Sequence, residues 1–259
     1  MTKRRLFRRK KRPLQKVPDL TGKKMLFIGG LHRSGTSILH RLLRSHKSIS
    51  GLSDTPAAQD EGQHLQTAYL SATELGGPGR FAFNAQSHLV EVSCAEARLK
   101  RDLLLREWGS YFDLSKDVYV EKSPPNLIRS RFLQKVFPES YFCFIVRHPI
   151  VVALATQKWS KTSIYDLLQH WYAAHKLLAA DVYFLHRAKI VRYEDFVTNA
   201  NCVLETLCNW LQLTRIDKAE IVEDRSGHYF EKCSDNMALQ CLKFAEENPE
   251  AVKMFESMG

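Results

Sequence analysis

MLFIGGLHRSGTSILHRLLRS (residues 25–45) is the stretch on which the reading of the fold turns. Residues 25–28 form a short apolar run that stops at Gly29 and Gly30, as a buried strand closed by a glycine turn does. From Thr36 to Ser45, the apolar residues Ile38, Leu39, Leu42 and Leu43 recur at helical spacing. Strand, glycine turn and helix together open a βαβ unit. The turn itself, GLHRSGTS (residues 30–37), follows the nucleotide-kinase loop G-x-x-x-x-G-K-[ST] at Gly30, Gly35 and Ser37, but Thr36 stands in the lysine position. Its amides still form an anion-attracting nest at a helix N-terminus. What is missing is the cation that reaches the β- and γ-phosphates of a nucleoside triphosphate, and Arg33 offers a cation from inside the loop instead. Such a loop points away from ATP and toward a smaller anhydride.

The alternation repeats downstream. Val118-Tyr-Val120 is a strand candidate ended by EKSPP (residues 121–125), with Asn126 placed to cap a helix running to Val136. YFCFIV (residues 141–146) is apolar throughout, as a central parallel strand is, and Pro149 stands where a helix tolerates proline, at its start. Residues 164–184 carry the pattern of a long amphipathic helix, and residues 189–191 a further strand that runs into RYED (residues 192–195). The series predicts an α/β fold, P-loop-like, with three layers (α/β/α) around a central parallel sheet. Residues 50–90 hold Gly51, Pro56, Gly62, Gly76, Gly77, Pro78 and Gly79, and are expected to be loop-rich with short helices. Within them GGPGRFAF (residues 76–83) reads as a mobile aromatic lid over an acceptor.

At 259 residues, with 44% hydrophobic and 25% charged, the chain has the composition of an ordinary soluble domain. Its formal charge of +10 is concentrated in residues 3–12, where eight Lys or Arg meet no acid, so the remainder carries only +2. Residues 1–22 are therefore expected to be a disordered basic tail and linker, a solvated terminus rather than a specific nucleic-acid site. Residues 23–259 are expected to form a single domain. No apolar run approaches the ~20 residues of a membrane-spanning helix, and the basic N-terminus lacks the apolar core of a secretory signal. The six cysteines form no CxxC pair and no zinc spacing. A reducing compartment, the cytoplasm, is the expected location.

FIGGLHRSGTS (residues 27–37) resembles the 5′-phosphosulfate loop of sulfotransferases that use 3′-phosphoadenosine 5′-phosphosulfate (PAPS). FIVRHPIVVALAT (residues 144–156) is similar to the second donor motif of that family, an arginine at a strand end followed eight positions later by a serine. Here Arg147 stands, position 155 is alanine, and Thr156 is the neighbouring hydroxyl that can take the serine's part. EKSPPN (residues 121–126) resembles the segment of glycan sulfotransferases whose lysine approaches the reacting sulfate, and VRYEDF (residues 191–196) looks like the family's late strand. The resemblance spans residues 25–211.

It implies PAPS as donor, the bisphosphate PAP as product and no required metal. The acceptor it implies is a hydroxyl on a small molecule, a glycan or a tyrosyl group. It also implies 5′-side donor contacts from Arg33, Ser34, Gly35, Thr36 and Ser37, with Arg147 and Thr156 on the 3′-phosphate and Tyr193 at the donor site. Lys122, at its strand end, is the candidate cation for the leaving group. For the base, related sulfotransferases use a glutamate one strand after the phosphate loop, which Glu61 in DEGQH (residues 60–64) fits. His64 is its rival or its orienting neighbour, because an unperturbed imidazole titrates near pH ~6.5. The alternative reading is a P-loop-type small-molecule kinase, with Glu121 after its apolar strand to hold Mg²⁺. His170 and His175 share no face of their helix and are expected to pack or to face water.

Overall fold

Alternation within each strand sets the layering. In β1 (Lys24–Gly29), Met25 and Phe27 enter one apolar cluster while Leu26 and Ile28 enter another, the period-two geometry of extended backbone. β4 (Tyr141–Val146) divides in the same way, Phe142, Phe144 and Val146 from Tyr141, Cys143 and Ile145. β3 (Val118–Lys122) separates Tyr119 from Val118 and Val120. Both faces are buried, so helices must cover both. The computed structural model, which describes residues 17–216, 223–224 and 226–258, shows that arrangement. The basic run of residues 3–12 lies outside the described residues.

With β2 (Ile49–Gly51) and β5 (Ala188–Arg192), the strands form one all-parallel sheet in the order β2-β3-β1-β4-β5. On one face lie α1 (Thr36–Arg44), α6 (Tyr193–Thr198) and α7 (Ala200–Trp210), through Leu39, Leu42, Phe196, Leu204 and Leu207. On the other lie α2 (Cys94–Trp108), α3 (Ser130–Val136) and α5 (Ile164–Asp181), through Leu104, Trp108, Leu133, Trp171 and Leu178. A third cluster joins α4 (Pro149–Ser160) and α5 to α9 (Asp235–Glu247) and α10 (Pro249–Met258), with Phe244 and Ala251 buried in it. α8 (Ser226–Glu231) packs on α4. No helix among the described residues is long and apolar enough to cross a membrane.

After β1 the chain crosses to one side of the sheet, and after β4 to the other. Open α/β sheets bind ligands in the crevice that such a reversal leaves at the carboxyl ends of the strands. The register pairs Ile28 with Lys122, Gly29 with Phe144 and Val146 with Arg192, so the loops after β1, β3, β4 and β5 all reach that same end.

Two local expectations give way to tertiary context, and the expectation for His170 and His175 stands. Asn126 caps no helix: residues 124–128 are a 3₁₀ turn and α3 begins only at Ser130. Its buried amide instead donates to Ile28 O at 3.1 Å and to Glu121 Oε2 at 2.6 Å, bonds that close off the ends of β1 and β3. Residues 50–90 are indeed loop with five short 3₁₀ turns, but the aromatic segment is no free flap. Phe81 is fully buried, edge-on to His170 at 4.7 Å, and of the segment's two phenylalanines only Phe83 remains exposed. His170 and His175 both pack. Burial pulls the pKa of His170 down to about 3 and that of His175 to about 4, and each imidazole has a backbone partner, Ala82 N–H and Trp171 O respectively.

Candidate functional site

The glycines of the loop after β1 hold it against its neighbours. A Cβ at Gly30, where φ is 154°, would lie 2.5 Å from Ile145 O. At Gly35, where φ is 99°, it would lie 2.6 Å from the Tyr193 ring. Only a residue without a side chain permits both approaches. Gly35 is the N-cap of α1, so the amides of Thr36 and Ser37 open the helix with no acceptor inside it. No acid occupies the first turn of that helix. Beneath the loop, Ser34 is fully buried and its Oγ has no partner.

A cavity of about 660 Å³ opens above this loop. Arg33, Gly35, Thr36, Ser37, Glu61, Arg147 and Tyr193 all line it, so seven residues singled out in the sequence converge on one space. A second cavity, of about 350 Å³, lies at the opposite ends of β1 and β4 and contains none of them.

Arg147 emerges from the end of β4 with its guanidinium 3.9 Å from the centre of the Tyr193 ring. Nη1 donates to Arg33 O at 3.0 Å and Nη2 to Ser226 Oγ at 3.0 Å, while Nε has no partner. Burial lowers its pKa, an unfavourable effect that an anion in the cavity would relieve. Thr156 is not at this point. It is buried with Oγ1 unpartnered, facing a separate small chamber, because one step along α4 from Ala155 turns a side chain by about 100°. The hydroxyl beside Arg147 comes from Ser226 on α8 instead.

Glu61 reaches the cavity from the loop after β2. Lys122 Nζ donates to Glu61 Oε1 at 3.1 Å, and Gln63 Nε2 donates to Oε2 at 2.6 Å. His64 Nε2 stands 3.7 Å from Oε2, on the side of a separate groove lined by Gln66, Thr67 and Thr73. Lys122 is fully buried and stands behind Glu61 rather than on the cavity wall.

Glu121 registers this assembly on the sheet. Its Oε1 accepts from Gly62 N at 2.9 Å and from Ser123 Oγ at 2.6 Å, and Trp108 Nε1 donates to Gly62 O at 3.0 Å. Ser123 Oγ in turn accepts from Gln63 N at 3.0 Å. Burial raises the pKa of Glu121, with the bonds from Ser123 and Asn126 opposing that rise. A Cβ at Gly62 would lie 2.6 Å from Glu121 Cγ and Oε1. Gly62→Ala is therefore expected to destabilise the fold by about 1–3 kcal/mol, the usual range for overpacking. Chemical denaturation measures this, and an unchanged midpoint would show that the Glu121 side chain has room to give way.

Sequence reasoning missed several lining residues: His32, Arg41, Trp159, Glu223 and Tyr229, together with Ser226. His32 and Arg41 lie inside the stretch read first, and a loop histidine beside the anion nest was a usable signal. Ser226 and Tyr229 belong to no motif, and only packing of α8 on α4 brings them to Arg147.

A model of the sulfotransferase family matches residues 26–217. Among solved structures, the chain is similar to the sulfotransferase domain of the Synechococcus PCC 7002 olefin synthase. The identity is 16%, over 93% of this chain and 97% of that one, with a TM-score of 0.54. It is also similar to a sulfotransferase of Mycobacterium tuberculosis H37Rv, at 14% identity over 86% of this chain and 77% of that one, with a TM-score of 0.51. No match was found among curated proteins.

Proposed function

Because the chain belongs to the sulfotransferase family, we propose that it transfers the sulfuryl group of PAPS to an acceptor hydroxyl and releases PAP. The observation that carries this reading is the convergence of the lysine-free phosphate loop, Arg147 and Glu61 on one cavity. The donor fits what is there. The free amides at the start of α1 suit a 5′-phosphosulfate, while Ser34, buried beneath the loop, does not line the cavity; Arg147, with Nε unpaired and Ser226 beside it, suits a terminal 3′-phosphate. Tyr193 supports the Arg147 guanidinium from below.

The donor supplies an activated sulfuryl group, and the protein supplies position and charge. Glu61 takes the proton of the acceptor hydroxyl as its oxygen bonds to sulfur, while the bond from sulfur to the 5′-phosphate oxygen breaks. A proton arriving on Glu61 weakens its hold on Lys122 just as the departing phosphate gains charge, so Lys122 becomes free to stabilise it. Arg33, on the cavity wall, adds a second cation. We take residues 23–259 as one sulfotransferase domain acting in the cytoplasm, a location supported by six free thiols. The acceptor class stays as wide as a small molecule, a glycan or a tyrosyl group.

The kinase alternative needs Glu121 at a metal, but Glu121 is fully buried and occupied by Gly62, Ser123 and Asn126. The two readings separate on nucleotide linkage. Saturating PAP at about 100 times its Kd should stabilise the fold by ~2.7 kcal/mol and raise Tm accordingly, and ATP with Mg²⁺ should leave Tm unchanged. Stabilisation by ATP alone would reverse the assignment.

A further inference from the structure

His32 belongs to two spaces at once. It lines the 660 Å³ cavity with Glu61 and Trp159, and it also lines a small chamber of about 10 Å³ with Thr156, Gly79 and His170. Its ring is held edge-on between Phe81 and Trp159, each at a centroid distance of 5.8 Å. Its backbone belongs to the phosphate loop, so the imidazole is fixed relative to whatever anion that loop holds.

Two polar atoms of the residues around the chamber are buried without a partner, His32 Nδ1 and Thr156 Oγ1. A space of that size holds one water molecule, and a water with two polar partners is stable there. With Nδ1 sealed from solvent, the ring edge left for the cavity carries Nε2.

Resting on the donor assignment above, we propose that His32 donates Nε2–H to a sulfuryl oxygen of PAPS, and that Thr156 is the positioning residue that holds this tautomer. The Thr156 hydroxyl donates to the chamber water, the water donates to Nδ1, and the imidazole proton is thereby kept on Nε2. The hydrogen-bond chain is complete without any net charge on the ring. That matches its surroundings. Burial, the largest influence, brings the His32 pKa down to about 4; Lys122, His64 and Arg33 push the same way and Glu61 opposes them, with His170 also close by. A neutral imidazole beside a developing negative charge polarises it without competing with Lys122 for Glu61.

PAP lacks the sulfuryl group, so a contact to that group must discriminate between the two nucleotides. Calorimetric titration of the full chain with PAPS and with PAP measures this without any acceptor. His32→Ala should weaken PAPS about tenfold, the low end for losing a hydrogen bond to a charged group, and leave PAP within about twofold. His32→Gln, whose amide offers an N–H at a similar reach, should recover most of the loss. Thr156→Val should weaken PAPS part of the way and Thr156→Ser should restore it, with PAP unmoved by either.

Equal effects of His32→Ala on PAPS and PAP, including no effect on either, overturn the assignment of His32. A full effect at His32 with none from Thr156→Val overturns the relay through Thr156. If the unaltered protein binds neither nucleotide, the donor assignment itself falls, and the His32 contact with it.

Discussion

Glu61→Gln should leave PAP affinity intact and lower sulfuryl transfer by ~10²–10⁴-fold, the range over which a positioned general base acts. The substitution keeps the shape of the side chain and one acceptor for Lys122 Nζ, now 3.1 Å from Oε1, but it leaves the buried Lys122 charge without its counter-charge, so some stability is lost as well and intact PAP binding is the check that the site is still formed. What it removes is a site for the acceptor's proton. His64→Asn is the necessary comparison, because His64 Nε2 is 3.7 Å from Glu61 Oε2 and faces the neighbouring groove rather than the cavity. Its loss should cost turnover far less. The assay is PAP formed from PAPS in the presence of a hydroxyl-rich metabolite extract, with PAP affinity measured in parallel. Near-normal turnover for Glu61→Gln with abolished turnover for His64→Asn would reverse the two roles. Normal turnover for both would place the base outside residues 60–64.

Lys122→Met should be the most damaging single change to stability in the site. Lys122 is fully buried, and Glu61, only 7% exposed, depends on it and on Gln63 for compensation. Breaking a buried ion pair from one side typically costs about 3–5 kcal/mol, because the remaining charge is stranded. The double variant Lys122→Met with Glu61→Gln removes both charges and should recover a large part of that loss, as a double-mutant cycle in urea would show. Activity should behave differently, falling in Lys122→Met by ~10²–10³-fold as for other lost charge-stabilising donors, and remaining lost in the double variant. Recovered stability without recovered activity would separate the structural function of the pair from its chemical one. Additive stability losses would mean that the two groups do not act on each other.

How much of this was legible beforehand follows from the range of the interactions concerned. β1, β3, β4 and β5, α1 and the phosphate loop could be read because local rules govern them (period-two burial, helical spacing, and glycines where a side chain would strike a neighbour), whereas the three-residue edge strand β2 is too short to carry a pattern. Arg33, Gly35, Thr36 and Ser37 were legible from the loop itself and Arg147 and Tyr193 from the family resemblance, and the parallel sheet brings all six to one end. Side chains that act across the fold were not. In the linear order Thr156 is the hydroxyl that goes with Arg147 and nothing points to Ser226, because the docking of α8 on α4, which gives Arg147 its hydroxyl, depends on contacts nearly eighty positions apart in the chain. Asn126 looked like a helix cap because capping is local. In the fold, the cost of leaving Ile28 O and Glu121 Oε2 unpaired in a dry interior outweighs a cap worth about 1 kcal/mol. The sequence by itself determined which ends of which strands meet. Only the tertiary structure decided which side chains meet there, because burial, unlike backbone periodicity, is a property of neighbours that the chain order does not contain.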